Sequence, residues 1–441
     1  MLEIKLKKRP YKGLFLLPII LCSLLNGGAY YPIISSIEFY GNTKTMDFVI
    51  LREIQHSLNV PLDSIIAEAD RDRLDNLGIF SEVSWRVVPL EDGTGTLSFI
   101  ITESIQKTPP GALPAYDEKT GWSLTGGWII QNFRGRNQTL QLGGSIGGND
   151  TYGINFADPW MFGNHVSLSL GIGRSLFRHN FLDKELDVGS FQMTFGRWFG
   201  ESIKSSLGFE LEEKSFSNEN TVSDYYYYFS PQVSINYDTR NVYWNPGKGI
   251  LVSHYFYFMN GIEPSDYSFL IWRQSYSLFI KLNQSEKKLV LALNGTVKRK
   301  WMMKNQKRQI KEEVWLNYFG DSYTVRGWAL PNQKLYNSGD ESFRFGHESA
   351  YASVELRKDI IPKYATKYGT EFGLSLVAFY DVGMIAEDWI NLQNMKPMTG
   401  TGFGIRIPIP MVDAIRIDLG WGYRDGKWNS PTLHWGIQQK F

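Results

Sequence analysis

The chain has 441 residues and a formal net charge of +1 at pH 7. A charge so close to zero argues against a general nucleic-acid-binding protein, because such proteins carry a strong basic excess. Aromatic residues make up 15% of the chain, and it contains 42 glycines and 24 tyrosines. This composition excludes a disordered chain and favours many strands, tight turns and aromatic rings at a lipid–water boundary.

The first 29 residues have the pattern of an export signal. Basic residues up to Lys12 precede the apolar stretch Leu14–Leu25, which is shorter than the ~18 residues of a membrane-spanning helix. Gly27 and Ala29 then supply small residues of the kind that a signal peptidase requires at its cleavage site. We therefore predict a signal peptide over residues 1–29, with a retained membrane anchor as the alternative.

The sequence gives no support to a catalytic or metal site. Cys22 is the only cysteine and lies in the predicted signal, so the mature chain would hold no disulfide and no thiolate metal site. The six histidines are scattered without metal-ligand spacing. Gly143–Gly147 matches the G-x-S-x-G pattern of serine hydrolases, but Ser145 lies in an alternating segment with no helix after it. We expect a protein that is not an enzyme and uses no cofactor or metal.

Residues 32–104 form a first region of mixed periodicity. A strand-like piece ends at the Gly41 turn, and apolar residues within Phe48–Leu58 then recur at helical spacing. A second helix begins at Asp63 and ends at Gly78, and two alternating strands follow. The order strand, helix, helix, strand, strand predicts an α+β module that buries one sheet face under two helices.

Three segments of this region resemble the POTRA domain, the polypeptide-transport module of outer-membrane assembly proteins. They are IISSIEFYGNTKT at 33–45, DRDRLDNLGIFSEVSW at 70–85 and GTLSFIITES at 95–104. The resemblance implies a single POTRA domain over residues 32–104, located in the periplasm. An unrelated module with the same order of elements is the alternative.

The periodicity changes after the first region. Residues 105–120 contain Pro109, Pro110 and Pro114 and predict a linker. From residue 121 onward, alternating segments are separated by Gly, Asn, Asp and Pro. About sixteen such segments can be placed, each near the ~10 residues of a tilted membrane strand. The pattern predicts an all-β transmembrane barrel of antiparallel strands over residues 121–441, and a soluble β-sandwich is the alternative.

Segments of the second region resemble the bacterial surface antigen family, whose barrels follow POTRA domains. They include NFRGRNQTLQLGGSIGG at 132–148, YDTRNVYWNPGKGI at 237–250, SYTVRGWALP at 322–331, ASVELRKDI at 352–360 and FYDVGMI at 379–385. The resemblance implies that the segment at 322–331 belongs to a long loop that folds into the barrel lumen. It also implies that the last two segments are the strands that receive this loop.

The candidate site follows from that loop. The resemblance implies that Arg326 docks on acidic residues of the wall, because a buried unpaired charge is costly and guanidinium groups pair in a planar fashion with carboxylates. Asp381 faces the lumen if its strand neighbours face lipid, and Glu355 follows the same rule. An ordinary solvated loop charge is the alternative for Arg326. The residues of the loop motif are Val325, Arg326, Gly327 and Trp328.

The end of the chain predicts a final barrel strand. Leu433, Trp435, Ile437 and Phe441 would share one face of it, although Gln439 interrupts that face. A last strand that ends in an aromatic residue resembles the sorting signal of outer-membrane barrels. We expect this strand to meet the first barrel strand in a seam that begins near Gly121, with Trp435 and Phe441 at the seam.

The two resemblances together imply outer-membrane protein insertion or polypeptide translocation. The sheet edge of the POTRA domain would capture an unfolded outer-membrane or secreted client by strand addition and pass it to the barrel seam or lumen. Outer-membrane lipid and periplasmic accessory proteins are the other expected partners, and nucleic acid is not. Two alternatives stay open: a secretion pore dedicated to one exported partner, and a receptor or passive channel without client activity.

The signal pattern predicts that the mature chain begins near Tyr30, because Gly27 and Ala29 suit the cleavage pocket of the peptidase. N-terminal sequencing of the membrane-extracted protein measures this directly. An intact Met1 would contradict the prediction and favour the membrane anchor.

Overall fold

A computed structural model describes residues 31–441 except for 109–110, 118–120, 164, 180, 183, 219–220, 223–224, 263–267, 304–314, 367 and 411–412. The predicted signal peptide therefore lies outside the described residues. Two units follow one another along the chain, a small domain with a three-stranded sheet and a closed barrel. Within the described residues, none of the helices is long and apolar enough to cross a lipid bilayer.

The N-terminal domain has the predicted order of elements. Its sheet has the strand order β1-β3-β2, with β1 parallel and β2 antiparallel to the central strand β3. One apolar core joins both helices to the sheet through residues such as Ile50, Leu74 and Phe99. The elements are β1 Ile34–Tyr40, α1 Asp47–Leu51, α2 Ser64–Asp75, β2 Phe80–Pro89 and β3 Gly95–Glu103.

Helix α1 is shorter than the apolar spacing predicts. The helical pattern runs to Leu58, but the helix ends at Leu51. The backbone N–H groups of Gln55 and His56 donate instead to the buried carboxylate of Asp70 on α2, at 2.9 and 3.1 Å. A side-chain acceptor thus replaces the helical carbonyls as the partner of these donors, which ends the helix early.

The turn after β1 is fixed by the last residue of β3. The carboxylate of Glu103 accepts hydrogen bonds from the backbone of Lys44 and Thr45 and from the hydroxyls of Thr43 and Thr45, at 2.7 to 3.1 Å. Gly41 in this turn has a φ of 97°, and an added Cβ would lie 2.0 Å from the carbonyl oxygen of Ile101. Only glycine fits this position, which explains the Gly-Asn turn seen in the sequence.

The second unit is a closed antiparallel barrel. Its described part contains sixteen strands of six or more residues and two two-residue strands, β11 and β22. The first half comprises β4 Gly111–Asp117, β5 Gly121–Phe133, β6 Gln138–Gly147, β7 Asn149–Asp158, β8 Val166–Arg178, β9 Glu185–Phe199, β10 Ile203–Asn218, β11 Thr221–Val222 and β12 Tyr226–Asp238. The second half comprises β13 Gly249–Ile262, β14 Phe269–Lys281, β15 Leu289–Met302, β18 Glu348–Ala365, β19 Glu371–Ala386, β20 Met398–Ile409, β21 Asp413–Arg424, β22 Lys427–Trp428 and β23 Thr432–Ile437.

The predicted linker is wrong in part, because the first barrel strand lies inside it. Strand β4 pairs with β5 from Gly111↔Gly127 to Asp117↔Gly121, and it also neighbours β23, which closes the barrel. The barrel therefore begins at Gly111 and not at Gly121. Proline and glycine are common in linkers, but a proline is also tolerated in a strand at the boundary of a sheet, where an unmade hydrogen bond costs least. Composition alone does not separate these two cases.

The barrel wall shows the alternation expected of a strand with two different faces. On β15 the buried residues Val290, Ala292, Asn294 and Thr296 alternate with more exposed neighbours. Tyr380 and Trp435 are among the large apolar residues exposed on the outer face, at 49% and 43% exposure. Such an apolar outer surface is what a lipid environment requires of a barrel.

The N-terminal domain packs on one end of the barrel. The backbone N–H of Met46 donates to Gly135 in the β5–β6 turn at 3.0 Å. The side chain of Asn76, which ends α2, bonds the backbone of Asn241 and Tyr243 in the β12–β13 turn at 2.9 and 2.8 Å. Because strands alternate in direction, the loop between β15 and β18 starts from the opposite end of the barrel.

Short elements lie in the loops at that opposite end. The loop between β15 and β18 contains a two-stranded sheet, one helix and a short 3-10 turn, and a further helix follows β19. They are β16 Asn317–Tyr318, α3 Gln333–Ser338, the 3-10 turn Ser342–Arg344, β17 Phe345–Gly346 and α4 Trp389–Asn394.

Candidate functional site

The loop between β15 and β18 enters the barrel lumen, and we call its described residues 315–347 the lumen loop. Its first residue, Trp315, packs among the rings of Phe216, Tyr228 and Phe269, with centroids 5.4 to 6.1 Å apart. Lys300 of β15 donates to the carbonyl oxygen of Trp315 at 2.7 Å. The start of the lumen loop is therefore held against the wall by aromatic packing and a charge-assisted hydrogen bond.

A tight turn presents the loop motif to the wall. The Asp321 carboxylate accepts the backbone N–H groups of Tyr323 and Thr324, at 2.9 and 2.7 Å. Arg344, at the end of the 3-10 turn, donates to the carbonyl oxygens of Phe319 and Ala329 on either side of the turn. These side-chain bonds satisfy backbone groups that would otherwise be buried without partners.

Glycines of the wall form a groove for the loop backbone. A Cβ on Gly400 of β20 would lie 1.7 Å from the carbonyl oxygen of Arg326, and one on Gly422 of β21 would lie 2.6 Å from the ring of Trp328. Gly327 has a φ of 87°, and its Cβ would lie 2.5 Å from the backbone of Trp421. Gly400 stands opposite Asp381 on one side and opposite Gly422 on the other. The loop thus lies directly on the backbone of two adjacent strands, β20 and β21.

Arg326 is completely buried at the centre of this contact. Its Nε and Nη2 atoms donate to the two oxygens of Asp381 at 2.8 and 2.9 Å, in a bidentate pair, and its backbone N–H donates to the same carboxylate at 3.0 Å. Its Nη1 atom lies 2.7 Å from Glu355 Oε1 and 3.1 Å from Asp418 Oδ2. The guanidinium also lies 3.6 Å from the ring centroid of Phe379, a cation–π contact.

The other motif residues also contact the wall. Val325 is fully buried and packs in a cluster with Phe319, Ile385 and Met398. The indole N–H of Trp328 donates to the carbonyl oxygen of Thr399 at 2.9 Å. The backbone N–H of Gly327 donates to Nε2 of His434 at 2.9 Å, so this nitrogen accepts and the ring proton lies on Nδ1. Because His434 belongs to β23, the lumen loop touches the last barrel strand directly.

The structure brings Val325–Trp328, Glu355 and Asp381 together, and it adds residues that the sequence reasoning missed. Asp418 was not anticipated, although it alternates with apolar neighbours on β21 in the same way as Asp381 does on β19. This alternation was the available signal. The cations around the cluster carry no comparable signal, because a lysine or arginine in any barrel strand fits a solvated lumen equally well.

The cluster contains more cations than carboxylates. Five positive side chains surround three acids among the described residues, and all eight are nearly or fully buried. Each of the three carboxylates that pair with Arg326 also has a second cation near one of the oxygens that contact Arg326. These second contacts are Lys440 with Asp381 Oδ2 at 2.9 Å, Arg406 with Glu355 Oε1 at 3.6 Å and Arg416 with Asp418 Oδ2 at 3.6 Å.

The expected position of Phe441 at the seam is wrong. Strand β23 ends at Ile437, and Gln438 has a φ of 65°, a left-handed conformation that turns the chain away from the sheet. Leu433, Trp435 and Ile437 are exposed on the outer face, whereas the ring of Phe441 lies inside the barrel. The turn at Gln438 breaks the two-residue alternation from which the shared face was inferred.

These contacts predict unequal effects of removing the two partners. Asp381→Ala leaves both Arg326 and Lys440 without their principal acceptor, and we expect it to destabilise the folded barrel by about 3–5 kcal/mol. Arg326→Ala should cost less, because Lys440 still neutralises Asp381. The measurement is the temperature at which the folded band of the unheated protein converts to the unfolded band in gel electrophoresis.

The control for this comparison is Asp425→Ala, which removes a carboxylate from an exposed pair with Lys396 and should leave the conversion temperature unchanged. The double variant Arg326→Ala/Asp381→Ala should cost less than the sum of the single variants. Additive effects would show that the two residues do not act as partners.

Two known protein domains match the sequence of this chain. The Omp85 superfamily domain matches residues 132–441, and the POTRA domain, described as a surface antigen variable number repeat, matches residues 32–104. The outer membrane protein assembly factor BamA of Neisseria meningitidis is 26% identical over 144 residues, which are 32% of this chain and 18% of that protein. The match thus spans less than a fifth of that relative.

Solved structures share the fold. BamA from Haemophilus ducreyi lacking POTRA domains 1–3 is 17% identical, with 93% of this chain and 84% of that chain covered and a TM-score of 0.53. CdiB from Escherichia coli is 12% identical, with 95% and 92% covered and a TM-score of 0.55. Since the Omp85 match covers more than half of the sequence and the fold is a POTRA domain followed by a barrel, the chain belongs to the Omp85 superfamily.

Proposed function

We propose that the protein receives unfolded polypeptides in the periplasm and inserts them into the outer membrane through the seam between β4 and β23. The observation that carries this proposal is the combination of a lumen that holds the lumen loop with a short seam strand, β23, of 6 residues. The proposal places the POTRA domain in the periplasm and involves no covalent catalysis. Client polypeptide, outer-membrane lipid and periplasmic accessory proteins are the proposed partners.

The POTRA domain supports capture of a client by strand addition. Strands β1 and β2 are the two edges of its sheet. Residues 59–62 cover the start of β1, where Asn59 and Leu62 donate to the backbone of Ile34 and Pro32. In the described part of the chain, no strand pairs with the outer side of β2. An unpaired edge of this kind can accept an extended segment of another chain.

At the far end of the barrel, aromatic packing joins the lumen loop to the wall. Phe181, in the β8–β9 turn, contacts the rings of Tyr336, Phe345 and Tyr318 in the lumen loop, with centroids 4.9, 5.0 and 5.7 Å apart. Phe181 is fully buried in this cluster. The aromatic cluster and the docked Arg326 both occupy space inside the barrel, which argues against a passive channel.

The seam contains the shortest of the long strands in the described part of the barrel that have described residues at both ends. Strand β23 has 6 residues, whereas β5–β10, β12–β15 and β18–β21 have 10 to 18. Strand β4 also contains Pro114, which has no N–H to donate. The described ladder of β23 with β21 has six residue pairs, and a strand with few ladder hydrogen bonds is released at less cost than a long one, so we place the opening of the barrel at β23.

A covalently closed seam tests the proposal. In a Cys22→Ser background, Ala115→Cys is combined in turn with Leu433→Cys and with Trp435→Cys, and each pair is oxidised. We expect the oxidised pair to reduce the abundance of other outer-membrane barrels several-fold in cells that depend on the variant, with recovery after reduction. An inventory of outer-membrane proteins after depletion of the wild-type protein measures this.

The matched control closes the wall where no opening is proposed. Ser206 and Ser234 lie directly opposite each other on β10 and β12, with their hydroxyl oxygens 2.7 Å apart. The disulfide of Ser206→Cys/Ser234→Cys should leave the inventory unchanged. If the seam disulfide is also tolerated, insertion through the seam is wrong; loss of one exported protein alone would instead favour a dedicated secretion pore.

A further inference from the structure

The four residues after β23, Gln438–Phe441, fold into the lumen, and we call them the inner tail. The backbone N–H of Gln438 donates to the carbonyl oxygen of Ala414 on β21 at 2.7 Å, the last backbone–backbone hydrogen bond of this segment with the sheet. The side chain of Gln439 then accepts from Nε of Arg406 at 3.3 Å. The inner tail therefore continues the seam strand into the site that holds Arg326.

Lys440 connects the inner tail to the lumen loop. Its side chain is 1% exposed, and its Nζ atom lies 2.9 Å from Asp381 Oδ2, the oxygen that also accepts from Arg326. The same ammonium donates to the carbonyl oxygen of Thr324, two residues before Arg326. One carboxylate thus binds a cation of the loop and a cation of the tail, and the tail also bonds the loop backbone directly.

Phe441 occupies an apolar pocket on β14 and β15, one strand away from the Asp381 strand β19. The pocket consists of Phe279 on β14 and of Val290 and Ala292 on β15, which are 2%, 1% and 0% exposed. The rings of Phe441 and Phe279 lie 6.2 Å apart. Arg357 of β18 lies 4.9 Å from the Phe441 ring and donates to its main-chain oxygen at 3.3 Å.

The residues beside this pocket on the inner faces of β14 and β15 are polar, whereas the pocket itself is apolar. Ser277 precedes Phe279 on the inner face of β14, and Asn294 and Thr296 follow Ala292 on β15. These polar residues hydrogen-bond one another around Asn294. Exposure of an apolar patch beside these polar residues to water in the lumen would be unfavourable. The ring of Phe441 covers the patch and removes it from water.

We propose that the inner tail is a latch: it holds the end of the seam strand inside the barrel, keeps the lumen loop docked, and must leave its pocket before the seam opens. Movement of β23 away from β4 displaces Lys440 from Asp381 and Phe441 from its pocket, because only Gln438 and Gln439 separate Lys440 from the end of the strand. The seam and the lumen loop are thereby coupled through one carboxylate. The inference rests on the seam as the exit route of the proposed function.

The test uses the purified full-length protein in lipid, without any client. Phe441→Ala removes the ring from the pocket, and Ala292→Phe fills the pocket from the other side without a change in the tail. We expect amide hydrogen exchange to rise several-fold in residues 111–117 and 432–437 for both variants, because release of the tail frees the seam strand. Residues 203–218, far from the seam, serve as the internal reference and should not change.

Lys440 supplies the second arm of the test. Lys440→Ala should raise exchange at the seam and also in residues 321–328 of the lumen loop, whereas Lys440→Arg should stay close to wild type because it keeps the cation. Lys427→Ala, an exposed lysine on the short strand β22, is the matched control and should have no effect.

A structural brace would behave differently from a latch. If the tail only stabilises the barrel, the variants will lower the conversion temperature while exchange at the seam stays equal to that of the reference strand, and the latch is then wrong. The exchange measurement does not depend on insertion. Faster exchange at the seam, together with a seam disulfide that cells tolerate, would therefore support the latch and contradict the proposed function.

Discussion

Asp381 is the residue through which three parts of the chain meet. Its carboxylate accepts from the guanidinium and the backbone of Arg326 in the lumen loop and pairs with Lys440 of the inner tail, while Asp381 itself belongs to the wall strand β19. The loop, the tail and the wall are therefore positioned by one acid. Because the site is buried, each of these charge-assisted bonds is stronger than it would be in water, and each becomes costly if its partner is lost.

The surplus of cations determines whether the contact between Arg326 and the barrel wall is permanent or reversible. A buried arginine with a single acid would hold the loop permanently, because its departure would leave an unpaired buried charge. Here the acids retain Arg357, Arg406, Arg416 and Lys440 when Arg326 is absent, so four cations still face three acids. The guanidinium of Arg416 forms no hydrogen bond among the described residues and lies 3.6 Å from Asp418 Oδ2, so it stays beside Asp418 when Arg326 leaves. The arrangement stabilises the docked loop and also permits its release.

Local patterns in the sequence predict which face of a strand a residue lies on and the order of the N-terminal elements. Alternation along β18 and β19 places Glu355 and Asp381 on the lumen face, and helical spacing and turn residues give the order of the N-terminal elements. Alternation fails where the chain leaves the sheet: one left-handed residue, Gln438, moves Phe441 from the outer face to the lumen. It also fails for β4, whose proline and glycine content is that of a linker. The cations of the cluster come from distant segments, so no local pattern predicts that they meet.

The occupied lumen restricts where the molecule can move. Among the described residues, neighbouring long strands away from β4 and β23 share ladders of seven or more residue pairs, and a closed ladder leaves no exposed backbone edge in the membrane. The lumen loop packs on the glycines of β20 and β21 and bonds His434 of β23, while the inner tail contacts β14, β15 and β18. Contacts inside the lumen thus hold β23 at two places, at His434 through the lumen loop and at its C-terminal end through the inner tail. Motion that frees this strand has to break the interior contacts first, so the state of the lumen controls the state of the wall.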